Sequence, residues 1–174
     1  MNWEQIAAAS QSLTVSLASF LLTGLSVLLG LGFIIMGLKR LVDHSKGQNP
    51  HASVFGPLAI NLASGIALLQ LSFFINAAIE SLFGSEMQKP SEVLAYLPDR
   101  VQGTAMLDAM IRAGAMWVSV IGIIAIIRGI VLWNALARGA QGAPQGAGWK
   151  GFWHIVFGVL AVNITGTIAL FFGK

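Results

Sequence analysis

Apolar positions along this chain fall into four long runs rather than into alternating or single-faced patterns, which predicts helices that are apolar all round. A hydrocarbon layer about 30 Å thick is crossed by ~20 such residues. The runs are 13–38, closed by Lys39 and Arg40; 53–79, closed by Glu80; 113–136, with Arg128 near one end; and 152–172, followed only by Gly173 and Lys174. The expected fold is all-α and integral to a membrane. Its four transmembrane helices form two tandem helical hairpins, residues 1–80 and 113–174, separated by the connection 81–112.

That connection has a pattern of its own. Val93, Leu94 and Leu97, then Val101, Met106 and Met110, recur at roughly helical intervals and are interrupted by Pro98 and Gly103. This predicts two short amphipathic helices lying on a membrane surface. The stretch GAQGAPQGAG, residues 139–148, has no apolar anchor and reads as a mobile linker.

Composition agrees with the pattern. Hydrophobic residues make up 56% of the 174-residue chain and charged residues only 10%, with a mean hydropathy of +0.77, unlike an ordinary soluble domain. There is no cysteine, which removes disulfides and thiolate metal sites. Three scattered His without a carboxylate cluster point to no metal and no cofactor, with phospholipid the one candidate structural ligand. Asp43 and His44 are too few for acid-base chemistry, and no Ser-His or paired-acid arrangement is present. The chain is expected not to be an enzyme.

The small excess of bases, net charge +3, reads as topology. Lys39, Arg40 and Lys46 in the first short connection, and Arg138 and Lys150 in the third, predict that both loops are cytoplasmic. The middle connection carries Glu80, Glu86, Glu92, Asp99 and Asp108 against Lys89, Arg100 and Arg112. It is expected outside with both termini, which in a bacterial inner membrane means the periplasm. Trp117 and Trp133 near the ends of the third run, Trp149 and Trp153 at the start of the fourth, and Trp3 before the first fit interfacial belts. The N-terminus holds Glu4 but no basic n-region, so the chain is expected to keep it.

The chain also repeats itself. VFGVLAVNITGTIAL, 156–170, matches VFGPLAINLASGIAL, 54–68, at nine of fifteen positions, and FIIMGLKRLVDHSKG, 33–47, lies over AIIRGIVLWNALARG, 125–139. The repeated unit is run, short basic loop, run. Small residues at four-residue spacing, Ala59, Ala63 and Ala67 in one copy and Ala161, Thr165 and Ala169 in the other, predict a close-packing helix face. Asn61 and Asn163 occupy the same place in both copies and are candidates for hydrogen bonds across that face or for a polar transport site. Arg128 is either a buried functional charge or, about two turns before Leu136, a side chain that snorkels to the headgroups. His154 reads as an interfacial hydrogen-bonding group.

Two apolar helices joined by a short basic loop resemble the hairpin of conjugative pilins of type IV secretion systems, here twice in tandem. The ending GWKGFWHIVFGVLAVNITGTIALF, 148–171, is similar to the carboxy-terminal signature of the IcmC/DotE family of type IVB secretion systems and the TraQ family of I-type conjugative plasmids. The resemblance implies a structural membrane subunit of a conjugation or secretion apparatus that self-associates or packs with other subunits. Its partners would be membrane lipids, further copies and the other apparatus subunits, with nucleic acid at most a transferred cargo. If copies assembled into an extracellular pilus, Lys39, Arg40, Lys46, Arg128, Arg138 and Lys150 would face the lumen or lipid phosphates. The alternative from another class is a stand-alone transporter or channel. Such a protein is expected to show a mid-membrane ionisable residue or a broken helix, and Pro57 is the one visible interruption.

Overall fold

A computed structural model describes residues 3–47, 54–84, 93, 105–139 and 143–172. These form helices and turns, with no strand among the described residues. The first helix, α1 (Trp3–Ser19), runs through a π-helical segment (Phe20–Leu25) into α2 (Ser26–Ser45). Then follow α3 (Phe55–Leu69), α4 (Leu71–Phe83), α5 (Ala105–Leu136), α6 (Ala147–Val162) and α7 (Ile164–Phe172). Two helices, Ala8–Ser45 and Met106–Leu136, are long and apolar enough to cross a membrane, and up to four if the bent pairs α3–α4 and α6–α7 each count as one span.

The first run is thus part of a helix much longer than the expected 13–38. The hydroxyls of Thr14, Thr23 and Ser26 are compatible with apolar surroundings because each donates to a carbonyl one turn back, Thr23 to Ser19 at 2.6 Å and Ser26 to Leu22 at 2.5 Å. Gly47 and Gly139, aligned in the repeat, both follow the end of a long helix with φ of +73° and +77°, the left-handed conformation that terminates a helix without a Cβ penalty.

The second and fourth runs are not straight spans. The axis turns by 92° between α3 and α4 at Gln70 and by 85° between α6 and α7 at Asn163. Thr167 Oγ1 meets the carbonyls of Leu160 at 2.8 Å and Asn163 at 2.9 Å, and Ser119 Oγ donates to the carbonyl of Val162 at 3.3 Å. At the α6–α7 break, side chains thereby cover the Leu160 and Val162 carbonyls, acceptors that a continuous helix would have used internally, which lets the break persist in an apolar setting. The sequence reading missed both breaks.

Helices α2 and α3 pack together, as do α5 and α6, through glycines. A Cβ on Gly30 would lie 2.8 Å from the Gly65 carbonyl, one on Gly122 2.6 Å from that of Gly158, and one on Gly129 2.7 Å from that of Gly151. Gly30 and Gly122 extend the aligned first helices, but their partners are not repeat equivalents. Gly65 corresponds to Thr167 of α7, while the counterpart of Gly158 is Gly56, which has nothing within 4 Å of its Cβ position. The second helix of the repeat has therefore slid by about two and a half turns. The longer loop of the second copy permits this, because α6 begins at Ala147, nine residues ahead of the repeated VFG at 156–158. Sequence equivalence and packing register have separated.

The main core joins Leu68 of α3 and Leu71, Ile75 and Ile79 of α4 to Val120, Ile126 and Ile130 of α5 and Val159 of α6. Helix α4 buries that face and leaves Ser72, Phe73, Asn76 and Glu80 exposed. The middle connection also differs from expectation. Met106 and Met110 are exposed residues of α5, not of a separate surface helix. Val93 is buried in a small cluster with Ala115, against which Ile111, Ile164 and Ile168 pack. Leu94, Leu97, Pro98, Val101 and Gly103 lie outside the described residues.

Candidate functional surfaces and buried polar contacts

One end of the bundle collects the bases. Lys39 and Arg40 lie in the last turns of α2, with Lys46 just beyond it. Arg138 follows α5, and Lys150 is in the first turn of α6. Arg128 reaches the same end because its neighbour Gly129 lies opposite Gly151, one residue from Lys150. Five of these six side chains are exposed. Arg40 is half-buried, and its Nη1 donates to the carbonyl of Ala137 at the end of α5. It ties the first repeat to the second and satisfies an acceptor at a helix C-terminus, where a cation is also favoured by the helix dipole.

One turn further into the bundle, Asn134 Nδ2 donates to Asn61 Oδ1 at 2.8 Å, with both residues buried. This second tie between the repeats involves a residue the sequence reading missed. Its signal was available: Asn134 stands in the apolar run IVLWNAL, at the position occupied by Val42 in the other copy. Asn61 Nδ2 has no hydrogen-bond partner. Asn163 is buried at the α6–α7 break instead, so the two repeated asparagines occupy different structural positions.

The predicted small-residue faces divide in the same way. Ala59 and Ala63 are exposed and Ala67 is half-buried, because α3 turns Asn61, Ser64, Gly65 and Leu68 inward. Within the chain, glycine makes the close contacts, and Ala59 and Ala63 of α3 face out while Ala67 packs against the core. In the second copy Thr165 is buried and Ala161 and Ala169 are half-buried.

Beside the exposed alanines lies an apolar cleft of about 330 Å³, lined by Ala63, Ala67 and Phe74 on one wall and Ile130, Trp133 and Leu136 on the other. Trp133 Nε1 donates to the Gly148 carbonyl at 2.9 Å, which fixes the ring between α5 and α6. On α6, Trp149, Phe152, Trp153 and Phe157 form a continuous exposed aromatic ridge with centroids 5.2 to 5.9 Å apart. His154 Nδ1 sits 2.7 Å from the Lys150 carbonyl and donates to it.

These groups offer packing and hydrogen bonding. Among the described residues the fully buried polar ones are Thr14, Ser26, Asn61, Ser64, Asn134, Asn163 and Thr165, all uncharged, while Asp108 is half-buried with its Oδ1 shielded from solvent. Among the described residues no three His, Cys, Asp or Glu side chains gather where they could hold a metal ion. No protein-family description matches the chain, no curated protein matches it, and no solved structure matches its fold.

Proposed function

We propose that this chain is a structural membrane subunit of a type IVB secretion or conjugation apparatus, in which copies or neighbouring subunits pack on faces that the chain leaves unfilled. The observation that carries the structural part is the division of its surfaces. Glycine contacts and an uncharged asparagine pair hold the helices together, while Ala59, Ala63 and the α6 aromatic ridge stay outward. Small residues on an outward face allow close helix approach in lipid, where packing rather than water exclusion drives association. The apparatus itself comes from the resemblance of residues 148–171 to the IcmC/DotE and TraQ signature.

In this reading the chain lies in a bacterial inner membrane, with the basic end cytoplasmic and both termini periplasmic. It has no enzymatic role, and its partners are lipid, further copies and the other subunits of the apparatus. The test is to delete the chain from its host and to purify it from native membranes in mild detergent. Loss of transfer, restored by the intact gene, together with co-purification of apparatus subunits is the expected result. Normal transfer and a solitary monomer would sink the reading. Recovery as the major protein of sheared surface filaments would favour the pilin alternative, with the basic loops lining a lumen.

A transporter or channel is the second reading, and the breaks at Gln70 and Asn163 favour it, since discontinuous helices commonly surround a substrate site. Against it, none of the fully buried polar residues among the described residues is ionisable, and the half-buried Asp108 lies in the first turn of α5 rather than at a break. Solute flux into vesicles containing only this chain would support it.

A further inference from the structure

We infer that the chain is built for a thin bilayer, with a hydrophobic belt of roughly 20–24 Å against the usual ~30 Å, so that its preferred lipid partners carry short acyl chains. Separate rulers agree. On α5, the exposed Trp117 and Trp133 are about 24 Å apart along the axis at 1.5 Å per residue. Tryptophan marks the headgroup level, and Arg128, about 8 Å inside Trp133, reaches that level by snorkelling.

Helix α3 supplies another ruler. At one end Gly37 lies against Leu58 and Asn61, which places Lys39 and Arg40 level with its first turn. At the other end, after 15 residues or about 22 Å, the chain bends at Gln70 into α4. Helix α4 buries Leu71, Ile75 and Ile79 and presents Ser72, Asn76 and Glu80 outward together with Phe73 and Leu82, so that its exposed surface is mixed polar and apolar. A helix with that division lies along an interface, and Glu80 places its outer face in headgroups or water. In α6, the distance from Lys150 to the bend at Asn163 is about 20 Å.

The longer helix Ala8–Ser45 fits this belt when tilted from the bilayer normal. Trp117 is bonded to Ser10 and Arg40 to Ala137. A stretch of about 45 Å along that helix thus accompanies about 30 Å along α5. Tilt lowers the height of an over-long span, whereas a short span thins the bilayer around it. The α3 and α6 sides are therefore where a thicker bilayer would be deformed.

The inference does not depend on the secretion reading. Its test uses the full chain in vesicles of dimyristoleoyl-, dioleoyl- or dierucoyl-phosphatidylcholine, with the thermal unfolding midpoint followed by circular dichroism. The expected midpoint is highest in the shortest lipid and falls in order of chain length; a maximum in dioleoyl or dierucoyl lipid overturns the inference. Because the chain lacks cysteine, Glu80→Cys gives a single reporter for α4. Rapid labelling by a water-soluble maleimide is expected, and protection from it, which would put α4 inside the hydrocarbon, overturns the thin belt.

Discussion

Asn134 on α5 hydrogen-bonds Asn61 on α3 at 2.8 Å, joining the two halves of a repeated sequence through residues that are not repeat equivalents. Removing one partner leaves a buried polar group unsatisfied, which costs about 1–3 kcal/mol, whereas replacing both by apolar groups is milder. Asn134→Leu is expected to destabilise the chain by ~1–2 kcal/mol, and Asn61→Leu with Asn134→Leu by less than the sum of the single changes. Denaturant unfolding of the four variants in one detergent measures the coupling, and strict additivity would show that the contact contributes nothing.

The glycines predict a sharp contrast. Gly122→Ala and Gly129→Ala place a methyl 2.6–2.7 Å from a backbone carbonyl or an isoleucine side chain of α6 and force that helix away from α5. A loss of about 1–3 kcal/mol is expected, as for overpacking of a core. Gly32→Ala and Gly56→Ala meet nothing within 4 Å and should be neutral, or stabilising by about 0.5–1 kcal/mol through helix propensity. Equal effects at both sets of positions would mean that glycine does not set the helix spacing.

Arg40 predicts a local effect. Arg40→Gln removes the guanidinium that meets the Ala137 carbonyl, so amides in the last turn of α5 are expected to exchange with deuterium faster while those near Gly122 are unchanged. Arg40→Lys should restore part of the protection, because the cation at the helix end is kept. Unchanged exchange in the Gln variant would show that the contact does not hold the helix end.

The same contact separates roles among the basic residues. Lys39→Gln with Lys46→Gln leaves the Arg40 tie intact and removes two exposed charges. If those charges contact lipid phosphate or a channel lumen, transfer should fall while insertion and abundance, read by immunoblot of membrane fractions, stay normal. Unchanged transfer leaves them a role in topology alone.

Much of the architecture follows from the sequence by itself, because it depends on local composition. Apolar runs in excess of the length of a bilayer span determine helices, basic clusters locate one end of the bundle, and Gly47 and Gly139 end the long helices wherever those helices go. Tertiary structure decided which faces meet. Gly30 found Gly65 and Gly122 found Gly158 because each pair permits the closest backbone approach, and that preference overrode the repeat by about two and a half turns. The inward face of α3 became Asn61, Ser64 and Gly65, while Ala59 and Ala63 of the evenly spaced alanines turned out. The breaks at Gln70 and Asn163 were likewise invisible in an apolar run. At Asn163 the carbonyls freed by the bend find donors in Thr167 just beyond it and in Ser119 of α5, and the second of these is brought there by the tertiary structure.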